Sequence, residues 1–261
     1  MNSSIMDLSI YHLVFAYIFV LLLLVLSKIR GIRREKLIII ATVRMSLQLT
    51  IMGFVLMFVF KHPSWWLTML MITIMLAFAI FNAIKRIGLV ANKKLKQLMG
   101  ISMIIGYICS ATFFLLVVLK VMPWFNPQYC IPISGMIIGN AMTWIVLGAN
   151  TLCSEMQAKR TEIENSIMLG ATPKVATHKI VNDAFDSAIL PTINNMLTMG
   201  VVSLPGMMTG QILSGTFPIT AIKYQIGIML AILGCTALTV IIFVTLGYQT
   251  FFTPSQTLDE M

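Results

Sequence analysis

The sequence predicts an all-α, polytopic membrane protein with about seven transmembrane helices, and three observations support this fold class. Hydrophobic residues make up 58% of the 261 residues, whereas charged residues make up only 10%. Seven apolar segments each approach the ~20 residues that a helix needs to cross the hydrocarbon core of a bilayer. Basic residues are concentrated in every second connection between these segments. We therefore expect a single transmembrane domain that covers residues 1–261.

The seven predicted spans are long apolar runs separated by polar connections. They cover residues 10–27, 37–60, 64–84, 99–121, 131–150, 187–205 and 219–247. No basic residue precedes the first run, so we expect it to be a retained span rather than a cleaved signal peptide. The predicted location is therefore the cell membrane, where the chain contacts lipid on many sides.

The distribution of basic residues predicts the orientation of the chain. The connections after the first, third and fifth spans hold five, five and four of the 18 lysine and arginine residues. The opposite side holds only Lys61, Lys120 and Lys223. Because cytoplasmic loops are enriched in Lys and Arg, we expect the N-terminus outside and the C-terminus inside. The net charge of +9 then reflects membrane topology, and nucleic acid is not expected as a partner.

Two polar residues lie inside the second predicted span. Arg44 is about two turns from its cytoplasmic end, and Gln48 follows one turn later on the same face. An arginine at the centre of a span costs at least ~2.5–3.5 kcal/mol, and less where its side chain reaches the aqueous boundary. Two interpretations stay open: Arg44 extends to the cytoplasmic surface, or it pairs with Asp183 or Asp186 at a similar depth.

Residues 187–222, here called the polar stretch, differ from an ordinary membrane anchor. The stretch has no ionisable side chain, yet it holds three prolines, several glycines and neighbouring amides. In hydrocarbon, irregular backbone persists only where it is buried in protein or lines a cavity. We interpret the stretch as part of a translocation pathway; the alternative is a helix end followed by an outer turn. The candidate pathway and gate residues are Arg44, Gln48, Asn140, Asn194, Asn195, Ser203, Met207, Met208 and Gln211.

Two GxxxG patterns predict close helix packing near the outer side of the membrane. Each has a proline upstream and is followed at once by an amide, Asn140 or Gln211. Small residues four apart let helices approach closely, and an amide can then bond across the contact. The predicted packing glycines are Gly135, Gly139, Gly206 and Gly210. Chance or ordinary packing is the simpler interpretation of the repeated pattern, and an outer gate or a dimer contact is the alternative.

The 21 methionines are mostly scattered through apolar runs, where they suit flexible packing. Met207 and Met208 form the only pair in a polar context, and thioether sulfur is a ligand for soft metals such as Cu(I). Packing is the simpler interpretation of this pair. The sequence leaves the identity of any metal site unknown, and no resident cofactor is expected.

Residues 151–186, here called the helical elbow, form the only sizeable polar segment. The sequence predicts one helix over Glu155–Leu169, with Gly170 as its stop. Thr172 and Pro173 then provide an N-cap and a first-turn proline for a second helix that leads into the sixth span. This segment is too small for an enzyme domain, and we expect it to dock a partner on the cytoplasmic side.

The motifs of the chain resemble those of a known transporter family. Residues 164–170, Glu-Asn-Ser-Ile-Met-Leu-Gly, resemble the E-A-A-x-x-x-G loop through which an ATPase subunit grips ABC transporter permeases, although Asn165 and Ser166 replace the alanines. A wider set of motifs is similar to the FetB-type iron-export permeases, which are relatives of plant aluminium-tolerance membrane proteins. These motifs are Arg44-Met-Ser-Leu-Gln48, Pro132 to Asn140, Glu164 to Thr172, Leu190 to Gln211, and Tyr224-Gln225-Ile.

The resemblance implies a permease that exports iron or another metal and works as a homodimer with a separate FetA-like ATPase subunit. The residues that it implicates in coupling to the ATPase are Glu162, Glu164, Gly170, Thr172 and Pro173. The sequence has no GxxxxGK[ST] phosphate loop, so we expect no ATP hydrolysis by the chain itself. Two alternatives stay open: a secondary transporter driven by an ion gradient, and a membrane scaffold that transports nothing.

Overall fold

A computed structural model describes residues 9–87, 92–253 and 258. Over these ranges the chain is all-α, as predicted, and it forms no β-strand. The helices are α1 Ile10–Ala16, α2 Ile18–Ile29, α3 Glu35–Lys61, α4 Trp65–Ile87, α5 Lys93–Thr112, α6 Pro127–Ala158, α7 Arg160–Met168, α8 Pro173–Ala176, α9 His178–Thr198, α10 Gly206–Leu213 and α11 Pro218–Gly247. The sequence predicts the side of the membrane on which each chain end lies, but both ends are outside the described residues.

Within the described ranges, six helical segments are long and apolar enough to cross a membrane, one fewer than the seven predicted. They are Tyr11–Ile29, Glu35–Lys61, Trp65–Ile87, Lys93–Val118, Pro127–Ala158 and Pro218–Phe251. The fourth contains a π-helical segment, Phe113–Val118, which continues α5. A chain with this many apolar helices is a polytopic membrane protein.

The sixth predicted span, residues 187–205, is not one continuous helix. Helix α9 begins at His178 and ends at Thr198, and the chain then turns before α10. The turn contains Gly200 at φ +89°, a conformation that L side chains rarely adopt, and its amide donates to the Ser203 carbonyl (2.9 Å). The first half of α9 carries Lys179 and two aspartates, which makes the helix too polar to count as a span by composition.

Helix α9 nevertheless runs from one end of the bundle to the other. The C-terminal end of α11 lies beside the start of α5 and the end of α6, because Gly247 packs against Leu95 and Leu152. The beginning of α11 lies at the far end of α5, where Gly227 packs against Phe114. The chain must therefore return between the end of α6 and the start of α11, and α9 makes that return.

The core of the bundle is built around α6, which packs against α4, α5, α9 and α11. In the most apolar part of α6, half of the residues are buried. In the corresponding parts of the α1–α2 span and of α3, only 6% of the residues are buried. Between α5 and α6, the Tyr107 hydroxyl donates to Ser134 Oγ (2.8 Å) within this core. The first three helices therefore lie at the periphery of the bundle and present most of their side chains to lipid or to a partner.

The helical elbow differs from its prediction at both helix boundaries. Glu155 belongs to α6, which is 32 residues or about 48 Å long and so extends beyond a hydrocarbon core of about 30 Å. The first elbow helix starts only at Arg160, after a break at Lys159. The second predicted helix is divided into α8 and α9 at Thr177, whose buried hydroxyl donates to the Pro173 carbonyl (2.8 Å).

Candidate functional site

The turn at the tip of the helical elbow has a well-defined geometry. Gly170 adopts φ +91°, and its amide donates to the Ile167 carbonyl (2.9 Å). The next amide, that of Ala171, donates to the Ser166 carbonyl (3.0 Å). These two bonds form a Schellman motif, which requires a left-handed residue and so favours glycine. The stop predicted at Gly170 is therefore present in the structure.

The other predicted coupling residues lie close to this turn. Glu162 is exposed on α7, and the Glu164 carboxylate accepts a hydrogen bond from Arg160 Nε at 2.8 Å. Thr172 precedes α8 in an extended conformation, and Pro173 occupies the first helical position. The Thr172 side chain makes no capping hydrogen bond, but its carbonyl accepts the Val175 amide (2.9 Å). All five predicted coupling residues thus belong to one protruding unit.

Three apolar side chains at the same turn were missed by the sequence reasoning. Met168 is 83% exposed, Leu169 is 89% exposed and Val175 is 67% exposed. They flank Gly170 and are exposed, whereas Ile163, about two turns before the glycine, is buried. An apolar pair directly before a glycine stop, out of phase with the buried stripe of α7, is the sequence signal that could have identified them.

The base of the helical elbow is fixed by charge. Lys159 forms an ion pair with Glu155, and its Nζ lies 3.9 Å from an Asp183 carboxylate oxygen on α9. The hydrogen bond with Glu155 is the largest influence and raises the pKa of Lys159. Desolvation lowers that pKa by less, and the charges of nearby acidic residues raise it further. Lys159 therefore connects the end of α6 to α9 at the point where the elbow begins.

Arg44 does not form the predicted pair within the chain. Its guanidinium lies over the Phe78 ring of α4, 5.6 Å from the ring centroid, and the residue is exposed. Asp183 is occupied by Lys159, and none of the ion pairs among the described residues includes Asp186. Gln48 is also exposed on the surface of α3. The structure thus separates both α3 candidates from the polar stretch.

The GxxxG patterns contribute little packing inside the chain. A Cβ at Gly135 would lie 2.9 Å from Met75 Cε, so this glycine does pack closely against α4. At the other three predicted glycines a Cβ would meet nothing within 4 Å. The Asn140 amide donates to the Met136 carbonyl of its own helix (2.8 Å) rather than across a helix contact. Packing within the chain therefore involves only Gly135 of these four glycines, and a contact of Gly139, Gly206 and Gly210 with a second copy stays a prediction.

Helices α6 and α9 approach each other closely at a glycine that no pattern identified. A Cβ at Gly148 of α6 would lie 3.1 Å from both the Ala184 carbonyl oxygen and the Ala188 Cβ of α9. These alanines are four apart, so α9 presents a small-residue surface to the glycine. The sequence does show a glycine on α6 and two alanines four residues apart on α9, but the sequence alone does not indicate that these two surfaces meet.

The opposite face of α9 carries polar groups that the bundle leaves uncovered. Asn182, Asp186 and Asn194 lie four and eight residues apart on one face, with Leu190 between the last two, and they are exposed, as is Asn195. Ser203 is exposed in the turn that follows the helix. Polar groups at membrane depth require partners or water, so this face is unsuited to lipid contact. Asn194, Asn195 and Ser203 therefore remain together as candidates for a pathway.

A pocket of about 360 Å³ lies where the polar stretch meets α11. Its walls come from the end of α9, the following turn, α10 and α11, and its polar lining includes Gln225. Only 7% of Gln225 is exposed, and its side-chain oxygen has no hydrogen-bond partner. The Gln211 oxygen is likewise buried without a partner, but Gln211 does not line the pocket. The methionines that line the pocket are Met196, Met199, Met208 and Met229.

The predicted methionine pair is divided by this geometry. Met208 is 8% exposed and lines the pocket, whereas Met207 is partly buried against the hydrophobic core. In the part of the chain that the structure describes, no group of three or more His, Cys, Asp or Glu side chains is arranged to hold a metal ion. The polar stretch thus offers sulfur and amide groups rather than carboxylates.

Comparisons with known proteins agree with the predicted resemblance. A family model described as "Uncharacterised protein family (UPF0014)" matches residues 10–252. The chain is 38% identical to the UPF0014 membrane protein YjkA of Bacillus subtilis (strain 168), over 93% of this chain and 95% of the relative. It is 35% identical to the protein ALUMINUM SENSITIVE 3 of Arabidopsis thaliana, over 94% of this chain and 88% of the relative.

A third relative carries a functional name. The chain is 33% identical to the "Probable iron export permease protein FetB" of Escherichia coli (strain K12), over 97% of this chain and 95% of the relative. No solved structure matches the chain significantly. The similarity covers nearly the whole length of each of these proteins, and together with the six apolar spans it describes a multi-pass protein of the cell membrane.

Proposed function

The chain belongs to the UPF0014 family, and from this membership and the geometry of the helical elbow we propose that it is the permease subunit of an ABC exporter. A separate ATPase subunit hydrolyses ATP, and the permease itself catalyses no reaction. The substrate is iron or another metal, a proposal supported by the name of the FetB relative. The chain acts as one transmembrane domain in the cell membrane.

The single observation that carries this proposal is the exposed turn at Gly170. A transmembrane protein gains nothing from exposing Met168 and Leu169 to water, because each buried large side chain is worth about 1.5–3 kcal/mol. Exposed apolar side chains on a rigid turn suit insertion into a groove of a partner protein. The turn ends the segment whose sequence resembles the ATPase-binding loop of ABC permeases, so the ATPase is the proposed partner.

The base of the helical elbow provides a route for movement into the membrane. When the ATPases close, they displace the turn and α7 with it. Because Ile163 of α7 is packed in the hydrophobic core, this displacement reaches the bundle. The Lys159–Asp183 contact and the close packing at Gly148 then pass this movement to α9. Tilting of α9 changes access to the polar residues near its outer end, including Asn194 and Asn195.

The exposed polar face of α9 supports a homodimer. Two copies that bring these faces together enclose Asn182, Asp186 and Asn194 between them and remove the polar groups from lipid. A symmetric arrangement of this kind also places one ATPase-binding elbow on each copy. The proposed pathway then lies between the subunits, lined by α9 and the turn that follows it.

Reconstitution with a candidate ATPase tests the proposed function. The tagged chain is purified with and without an ATPase subunit and placed in liposomes, and ATP hydrolysis and metal efflux are measured. We expect the ATPase to co-purify and its activity to rise with the permease present. If no ATPase binds and transport follows an imposed ion gradient, the chain is a secondary transporter and the proposal is wrong. If neither ATPase nor transport is found, it is a scaffold.

A further inference from the structure

The pocket at the junction of α9, α10 and α11 combines side chains from four separate parts of the chain. Met196 lies on α9, Met199 in the turn, Met208 on α10 and Met229 on α11. A hydrophobic stripe along one helix does not produce this convergence, because the four residues are brought together only by the break after α9. We propose that this pocket is a binding site for a soft monovalent metal ion, Cu(I) or Ag(I), held by thioether sulfur.

The donor chemistry of the pocket favours a soft ion. Thioether sulfur prefers Cu(I), whereas carboxylate, carbonyl and water oxygens suit harder ions such as Mg²⁺ and Mn²⁺. The lining contains four methionines and no carboxylate, imidazole or thiol. Apart from Gln225, the remaining lining side chains are aliphatic, among them Leu204, Ile222 and Ile226. Sulfur is therefore the main side-chain donor that the pocket offers to an ion.

Gln225 is the second indication that the pocket receives a ligand. Its side-chain oxygen is buried and unpaired, and leaving such a group without a partner destabilises the fold. A simple packing site would be better served by an aliphatic residue at this position. A cation in the pocket, or a water molecule bound to that cation, gives the oxygen a partner.

The flexibility of the lining allows the sulfur atoms to gather around an ion smaller than the pocket. Methionine is unbranched and has three rotatable bonds, so its sulfur can move without a change in the backbone. Met199 lies beside Gly200, whose φ of +89° belongs to the turn between α9 and α10. Binding of an ion would therefore draw together the end of α9, its turn and α11.

This inference deepens the proposed function, because it names the class of metal ion that the outer end of the pathway would bind. A role of this site in transport rests on the proposed exporter function. Binding itself does not require the ATPase. The two ideas can therefore fail separately, and the experiment is designed on the permease alone.

The test measures Ag(I) binding to the full-length chain in lipid nanodiscs by titration calorimetry, with Fe(II) as the comparison ion. The pocket variant replaces each lining methionine by leucine, which keeps the apolar volume and removes only sulfur. The matched control replaces four methionines elsewhere in the bundle. The pocket substitutions are Met196→Leu, Met199→Leu, Met208→Leu and Met229→Leu. The control substitutions are Met57→Leu, Met69→Leu, Met71→Leu and Met75→Leu.

We expect the parent and the control to bind Ag(I) in preference to Fe(II). The pocket variant should lose at least the roughly 10- to 100-fold in affinity that even outer-shell changes cost at metal sites. The single variant Met208→Leu provides a milder change if the fourfold variant does not fold. Equal Ag(I) affinity in the parent and in either pocket variant overturns the inference, as does preference of the parent for Fe(II).

The outcome also separates this inference from the proposed function. Sulfur-dependent Ag(I) binding by a chain that recruits no ATPase supports the metal site while contradicting the exporter. Stimulation of an ATPase by a chain with no sulfur-dependent Ag(I) binding supports the exporter and overturns the metal site. X-ray absorption of the Cu(I)-loaded chain adds a direct readout, since sulfur neighbours are expected and oxygen neighbours alone contradict the site.

Discussion

Gly148 is the residue on which the contact between α6 and α9 depends most directly. Its missing side chain lets the Ala184 carbonyl and the Ala188 methyl group approach α6, and Val240 of α11 lies next to the same point. Between membrane helices, packing of this kind replaces the hydrophobic effect as a source of stability. The same residue lies on the proposed route from the helical elbow to α9.

Replacement of Gly148 by leucine should therefore weaken the bundle. A Cβ at this position already lies 3.1 Å from two atoms of α9, and overpacking of a well-packed core typically costs about 1–3 kcal/mol. We expect a lower apparent melting temperature in detergent and reduced coupling of ATP hydrolysis to transport. The control is Gly139→Leu on the same helix, where a side chain meets nothing within 4 Å of its Cβ. Equal melting temperatures for the two variants contradict the packing assigned to Gly148.

The glycines also show what could be predicted at the scale of single residues. Conformational roles are local, and the turn at Gly170 was predicted correctly because a helix stop is visible in the surrounding sequence. Packing roles depend on which face meets a neighbour, and the GxxxG patterns led to Gly139 and Gly210 rather than to Gly148. The predicted pairing of Arg44 with Asp183 or Asp186 is absent within the chain for the same reason, since similar depth does not establish proximity.

At the scale of elements, the helical elbow consists of a fixed base and an exposed tip. Met156 and Ile163 are buried at the base, whereas Leu169 and Val175 are exposed at the tip. Ion pairing by Lys159 holds the base against α9. A tip that is rigid, apolar and attached to a buried base is suited to transmitting displacement rather than to folding upon binding.

The substitution Leu169→Glu should therefore weaken binding of the ATPase without unfolding the permease. Leu169 is 89% exposed, so a charge there costs the isolated chain little, but in a partner's groove it would be buried without a counter-charge. We expect at least about a tenfold weaker affinity for the ATPase, equivalent to about 1.4 kcal/mol, in a pull-down or titration experiment.

The matched control for this variant is Met122→Glu. Met122 is 87% exposed, but it lies in the connection before α6, at the far end of the bundle. This substitution should leave ATPase affinity unchanged. Equal losses at both positions would show that the tip of the elbow has no special part in binding the ATPase.

The sequence predicted which helices exist better than it predicted the residues at which they begin and end. Long apolar runs identified six of the helices, because mean apolarity over a span is a strong signal. The signal failed at α9, because polar residues lower its mean apolarity and the helix ends at Thr198, before the predicted end of the span. It also failed at Glu155, because α6 continues past the membrane as a polar helix.

At the scale of the whole molecule, the bundle is asymmetric. The helices α4, α5, α6, α9 and α11 form the core, while α1–α3 cover one side with few buried residues. The polar face of α9 remains open, and composition could predict that such a face exists but not that the rest of the chain leaves it uncovered. A second copy is the proposed partner for this face.

Cross-linking should show two copies in contact through α9. In a chain carrying Cys109→Ser, which removes the exposed native thiol, we expect Asn194→Cys to form a covalent dimer with a short bis-maleimide in membranes. A residue near a two-fold axis meets its own copy, so one substitution is enough. The control is Phe81→Cys, which is 65% exposed on α4, a helix that packs against α5 and α6 rather than α9, and it should give no covalent dimer. Cross-linking at Phe81 but not at Asn194 would place the dimer contact on the wrong side of the bundle. The pathway would then have to lie within each subunit rather than between them.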